Sequence, residues 1–175
     1  MLRGINVSGQ KNIRMDDLRL LYESLGFEDV TSYIQSGNVL FECSEKKAAE
    51  IKILIEKSIE EKYGFSVHVE IRTNKELKNI LNNNPFDPVQ IEKDEKRFLV
   101  TFLSESPDEH SVRDIQQFVL PGEKLIVSNL VVYLHCPDGY GKSKLSNNYI
   151  ERKFRVSATT RNWRTANKLY ELSTQ

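Results

Sequence analysis

The sequence predicts an α+β protein of two similar halves, each a βαββα unit with an antiparallel sheet and helices packed on it. Three observations predict it. Stretches of apolar period 2 alternate with stretches of period 3.6 along the whole chain. Gly, Asn and Pro punctuate the boundaries between them. The same order of elements occurs twice, at the same internal spacing. The chain has 175 residues, 39% apolar and 29% charged, enough for one generous domain or two small ones.

The elements follow in order. Residues 2–7 read as a short strand cut short by the start of the chain, and residues 8–13 as a polar loop around Gly9. From Met15, the apolar residues Leu18, Leu21, Tyr22 and Leu25 recur at helical spacing. Gly26 supplies a left-handed C-terminal position, with Phe27 as its apolar contact. Residues 30–35 and 38–43 are extended runs joined at Ser36-Gly37, a hairpin signal. A second helix carries Ile51, Leu54, Ile55, Ile59 and Tyr63 on one stripe and ends at Gly64; residues 67–71 then alternate as a strand. This βαββαβ order is the ferredoxin-like pattern. A third helix opens with Thr73 and Glu76 at capping-box spacing and stops at Asn82-Asn83-Asn84-Pro85.

The second half repeats the layout. Residues 98–103 form a strand. Ser106-Pro107-Asp108-Glu109 then predicts a helix start with Ser106 as N-cap, and Val112, Ile115, Phe118 and Val119 form its stripe. Residues 124–127 and 130–135 pair around Ser128-Asn129. Helices are expected from about Lys144 to Phe154, with Ser143 as N-cap, and from about Arg161 to Leu172, capped by Thr160. From Asp16 to Gly37 is 21 residues, and from Pro107 to Ser128 is again 21, which favours an internal duplication of layout. The expected organisation is a first half over 1–83, a linker or surface loop over 84–96, and a second half over 97–175 with basic C-terminal helices.

Composition bounds the function. No stretch of apolar residues reaches the roughly 18 needed to span a membrane. Met1-Leu2-Arg3-Gly4 does not start a secretion signal, so a cytoplasmic protein is expected. The two cysteines, Cys43 and Cys136, sit in apolar strand-like runs with no metal-ligand spacing, so neither a metal nor a cofactor is expected. Net charge is zero, which argues against a general nucleic-acid binder, yet the distribution is uneven. Residues 142–175 hold eight Lys/Arg against two acids, leaving 17 against 23 in residues 1–141. Such asymmetry marks either a site for an anionic partner or basic helices docked on an acidic neighbour in the same protein.

Four segments carry a resemblance: Leu2-Arg3-Gly4-Ile5-Asn6-Val7, Tyr33-Ile34-Gln35-Ser36-Gly37-Asn38-Val39, Ser143-Lys144-Leu145 and Ala158-Thr159-Thr160-Arg161-Asn162-Trp163. In kind and order they resemble the bacterial family known as domain of unknown function 1697. The resemblance implies two ferredoxin-like-related halves and brings no established activity, substrate, cofactor or catalytic residue. The chain departs from the family pattern twice. Apolar residues usually precede the Leu-Arg-Gly-Ile-Asn segment, which implies a shortened first strand here. Arg155 stands where the family tends to have Gly, at odds with a left-handed cap of the penultimate helix.

The same segments supply the candidate site residues. Arg3 offers a planar fork of donors beside Gly4, and Asn6 a polar side chain that either meets a ligand or bonds the turn. Gln35 is an amide that either reads a ligand edge or ties the two halves together. Gly139-Tyr140-Gly141-Lys142-Ser143 fails as a phosphate loop, because the first glycine of that motif would fall at Cys136. It leaves a glycine-rich turn with Lys142 and Lys144 at a helix start, an anion site or an ordinary capped loop. Arg161, Asn162 and Arg164 stand at the start of the last helix, where its dipole disfavours cations, which suggests an anion nearby. Trp163 reads as a core anchor. His68, His110 and His135 form no nucleophile–base pair, since adjacent strand residues such as His135 and Cys136 point to opposite faces.

Three functions are therefore open. The first is a binding protein for a phosphorylated ligand, a nucleotide or RNA end, at Arg3, Asn6, Gln35, Lys142, Lys144, Arg161, Asn162 and Arg164. The second is an enzyme acting on a small anionic metabolite there, with Lys144 or Arg161 stabilising charge. The third is an interaction module whose basic C-terminal third docks an acidic protein. The basic stretch lacks interleaved aromatics, which weakens the RNA version.

Overall fold

Backbone hydrogen bonding and apolar burial together define the architecture in the computed structural model, which describes residues 1–7, 9–43 and 47–175. Ser8, first residue of the expected polar loop, lies outside the described residues. The protein is α+β with antiparallel sheets, and the chain divides into two units, residues 1–73 with 172–175 and residues 74–171.

In unit 1 the first residues pair antiparallel with residues 68–70. Leu2 faces Val69, the Arg3 N–H donates to the His68 carbonyl (2.9 Å), and the Glu70 N–H donates to the Met1 carbonyl (2.8 Å). The expected strands over 2–7 and 67–71 shrink to this bridge. The reason is that the backbone turns at Gly4 (φ +66°) and Asn6 (φ +56°), leaving the extended region. Helix α1 (Met15–Ser24) follows, with Met15, Leu18, Leu21 and Tyr22 buried at the expected spacing. Strands β1 (Glu28–Tyr33) and β2 (Asn38–Glu42) form an antiparallel hairpin. Helix α2 (Ala48–Tyr63) buries Ile51, Ile55 and Ile59 and ends at a left-handed Gly64. These residues join Leu2, Ile5, Ile13, Phe27, Val67 and Val69 in one core.

Unit 2 opens with helices α3 (Asn74–Asn82) and α4 (Pro88–Lys93). Sequence reading gave 84–96 as a linker or surface loop. Instead Asp87 caps α4 by accepting from the Val89 N–H (2.9 Å), Pro88 starts the helix, and Phe86 and Ile91 are buried. Strands β3 (Phe98–Leu103), β4 (Lys124–Ser128), β5 (Val131–His135) and β6 (Ala158–Asn162) make a four-stranded antiparallel sheet in the order β4-β5-β3-β6. The β3–β4 and β5–β6 connections pass through α5 (Glu109–Ile115) and α6 (Asn147–Phe154), and α7 (Trp163–Leu172) follows β6.

All six residues of β3 are buried, as a central strand covered on both faces requires. Leu99 and Leu103 pack with Ile115, Leu134, Ile150 and Phe154. On the opposite face Phe98 stacks on His135 (centroids 4.3 Å apart) and tilts against Phe86, while the Tyr133 hydroxyl donates to the Ile80 carbonyl (2.8 Å).

Three local expectations are corrected. Helix α5 is capped by Asp108, which accepts from both the N–H and the hydroxyl of Ser111, so the helix starts after Asp108 and Ser106 is not the cap. Ser146, not Ser143, caps α6 by accepting from the Tyr149 N–H. Residues 158–162 are a strand where a helix start was expected. Thr159 and Thr160 are β-branched, and Thr160 pairs with Thr101 across the ladder, hydroxyl to hydroxyl at 2.9 Å. Among the described residues, no helix is long and apolar enough to cross a membrane.

Candidate functional site

The residues singled out by sequence divide between the units. In unit 1, Asn6 is a clamp. Its Nδ2 donates to the carbonyls of Ile13 (2.9 Å) and Gln35 (2.8 Å), and its Oδ1 accepts from the Ile13 N–H (2.8 Å). The structure thus brings Asn6 and Gln35 together through the backbone of Gln35, whose side chain is exposed; Arg3 is half-buried. The hairpin glycine is dictated by packing: a Cβ on Gly37 would lie 2.7 Å from Leu2 Cβ and 2.9 Å from Ile5 Cδ1.

In unit 2, Arg161 lies on β6 and is 9% exposed, so the helix-dipole argument does not apply to it. Its Nη1 donates to the Thr159 hydroxyl (2.9 Å) and the Thr160 carbonyl (2.8 Å), and burial pushes its guanidinium down to about 10. Asn162 is the cap of α7, accepting from the Thr165 N–H (2.8 Å). Lys142, Lys144 and Arg164 are exposed, Lys142 in a 3-10 turn and Arg164 in the first turn of α7.

A different basic group converges in unit 2. The last turn of α6 carries Arg152 and Lys153, where the negative end of the helix dipole favours cations. Arg155 follows in the left-handed conformation (φ +55°), so the helix closes as a glycine would close it, with arginine in the strained position. With Asp108, His110, Ser111 and Asp114 these three cations line a concavity of about 390 Å³. Arg152 lies over the Tyr149 ring (5.2 Å) and Lys153 over Phe118 (4.7 Å), which holds their stems on aromatic surface. Among the described residues none of the three is in an ion pair.

Of the acids on the same walls, Asp108 is engaged. Asp108 accepts two bonds from Ser111 (2.9 and 2.7 Å), and the backbone bond, then the hydroxyl bond, hold its carboxyl below the usual range. Asp114 lies 3.6 Å from His110 Nδ1. The concavity therefore presents uncommitted positive charge, suited to a phosphate or carboxylate. Sequence reading counted these cations in the basic third and did not single them out. The one signal was the density of the run Arg152-Lys153-Phe154-Arg155.

Unit 1 has a charge cluster of another kind, also missed. His68 Nε2 is 2.8 Å from Glu70 Oε1 and its Nδ1 3.3 Å from Glu56 Oε1, while Arg72 Nη1 donates to Glu70 Oε2 (3.0 Å). Burial pushes the Glu70 carboxyl up, but the His68 hydrogen bond and the Arg72 charge outweigh it and hold it below the usual range. Both Glu70 oxygens are engaged, so the cluster stabilises the strand ends locally. Among the described residues, no group of three or more His, Cys, Asp or Glu is placed to hold a metal ion.

Comparison with curated proteins finds no match. Among solved structures, the chain is similar to the conserved bacterial protein SP0830 from Streptococcus pneumoniae. The two share 25% identity with a TM-score of 0.74, over 99% of this chain and 96% of that one. The family model described as "Protein of unknown function (DUF1697)" matches residues 1–133, and the chain belongs to that family.

Proposed function

We propose that unit 2 is a binding module for a phosphorylated small molecule, held in the concavity between α5 and α6. The observation that carries this reading is the imbalance of commitment there. Arg152, Lys153 and Arg155 have no carboxylate partner among the described residues, while Asp108 in the same lining is engaged by Ser111. Two arginine forks and one ammonium match the three terminal oxygens of a phosphate. Lys142, Lys144 and Arg164, exposed on the same unit, add to the potential that draws an anion in.

The architecture forms part of the same reading. The order β4-β5-β3-β6, antiparallel throughout with a helix in each crossover, supports a ferredoxin-like unit 2. The parallel order of elements in unit 1 supports a duplication. The free cysteines Cys43 and Cys136 and the bacterial relative support a bacterial cytoplasmic protein.

Thermal unfolding with inorganic phosphate, pyrophosphate and mononucleotides tests the proposal. At a hundredfold excess over Kd a ligand adds about 2.7 kcal/mol of stability, a rise of roughly 5–10 °C for a chain of this size. The double variant Arg152→Gln/Lys153→Gln is expected to flatten the response. A flat response of the unmodified protein to every anion rejects the reading, as does a response the double variant keeps. A response that requires oligonucleotides and falls steeply with salt would assign the site to RNA instead.

A further inference from the structure

A second concavity in unit 2 has the opposite chemistry. It is bounded by the end of α3, the segment leading into α4, and α7, and has a volume of about 540 Å³, within the range of small-molecule sites. Its apolar wall includes Leu81, Phe86, Ile91 and Trp163, of which Phe86, Ile91 and Trp163 are buried. Its charged lining consists of Glu92, Glu95 and Glu171, with no Lys, Arg or His. Glu171 is paired with Lys168 (3.1 Å). Glu92 and Glu95 are in no ion pair or side-chain hydrogen bond among the described residues.

These features select a ligand class. An anion would meet three carboxylates, and a neutral apolar molecule would leave two uncommitted charges beside it with their hydration disturbed. A primary alkylammonium satisfies both walls: its methylene stem covers the apolar surface, and its NH₃⁺ donates to carboxylate oxygens. An indole face is the best aromatic surface for a nearby cation. We propose that this concavity binds a small primary alkylamine in its protonated form, with Trp163 and Phe86 receiving the stem and Glu92 and Glu95 receiving the ammonium. The site is separate from the anion concavity and does not depend on the reading of it.

Trp163 is the only tryptophan in the chain, so intrinsic fluorescence reports on this wall without labelling. The full chain is titrated with n-butylammonium chloride and with putrescine. n-Butanol serves as the neutral control and sodium chloride as the ionic-strength control. A saturable change in Trp163 emission is expected with the amines and not with the controls. Glu92→Gln/Glu95→Gln is expected to weaken the amine affinity at least tenfold with circular dichroism unchanged, and calorimetry on the same samples detects binding that emission does not register. The proposal is overturned by an absence of saturable emission change and heat with both amines, by an equal response to n-butanol, or by undiminished affinity in the double variant.

Discussion

Units 1 and 2 close their backbones by different means. Unit 2 relies on ladders: β3 pairs along its length with β5 on one side and β6 on the other. Unit 1 has a two-stranded ladder and two isolated bridges, and it makes up the difference with point contacts. Asn6 clamps two loops, Gly37 lets Leu2 and Ile5 close on the hairpin, and Glu70 gathers His68 and Arg72 behind the bridge between Leu2 and Val69. A ladder spreads its stabilisation over many backbone bonds that no single side chain controls. A clamp concentrates it in one residue. The comparison teaches that unit 1 should be brittle to single substitutions at places where unit 2 is tolerant.

The largest expected effect tests that brittleness directly. Gly37→Ala places a Cβ within 3 Å of Leu2 and Ile5 at φ +75°. Overpacking and the left-handed penalty together are expected to cost about 2–5 kcal/mol, read from urea unfolding. The β4–β5 hairpin turn of unit 2 holds Asn129 at φ +51°, and Asn129→Gly should change stability by only a few tenths of a kcal/mol. Equal losses at the two turns would break the comparison.

Asn6→Ala comes next. It removes two donated bonds and one accepted bond and leaves the Ile13 N–H without its partner, at a cost of about 2 kcal/mol. Amide hydrogen exchange should show faster opening of the loop ending at Ile13, with β3 and β5 unaffected.

A gain is expected in unit 2. Arg155→Gly relieves the left-handed strain at the end of α6 and should stabilise by about 1 kcal/mol, a rise of roughly 2–4 °C in Tm. The same substitution removes one cation from the proposed anion site, so it should weaken phosphate binding while it raises Tm. The opposite sign on both measurements would refute this placement of Arg155.

The smallest effect is confined to acid. The folded-state pKa of Glu70 lies below its unfolded value, so its contribution is fully present above the ordinary glutamate range and is lost as pH falls through the lower folded value. Unfolding followed by a probe in unit 1 should show this loss below about pH 4.5. Glu70→Gln should remove that part of the acid dependence.

Sequence reading succeeded where the signal is local. The stripe Met15, Leu18, Leu21, Tyr22 and the stop at Gly26 identified α1, and Ser36-Gly37 identified the hairpin, because period and turn chemistry lie within a few residues. It missed α4, whose six residues are too few for a periodic pattern. It began the last helix at about Arg161 with Thr160 as its cap, whereas Ala158–Asn162 is a strand, because only pairing with β3 separates strand from helix there. The candidate site was legible as a class and not as a place. The excess of Lys and Arg after residue 141 was countable, yet counting does not tell a committed charge from a free one.

The sequence by itself determined an α+β chain with its helical stripes and hairpins, and a basic end on an otherwise acidic chain. Those follow from side-chain periodicity, from backbone freedom at glycine, and from composition. Tertiary structure alone decided which polar groups were already engaged. It turned Arg161 into a buried donor to Thr159, Asn162 into a helix cap and Asn6 into a loop clamp. It left Arg152, Lys153 and Arg155 in one concavity and Glu92 and Glu95 in another, unpaired among the described residues. The physical reason is one of range. Propensity and periodicity act over a turn or two of chain, whereas hydrogen bonds and ion pairs need partners within a few ångströms, which only folding brings from distant positions.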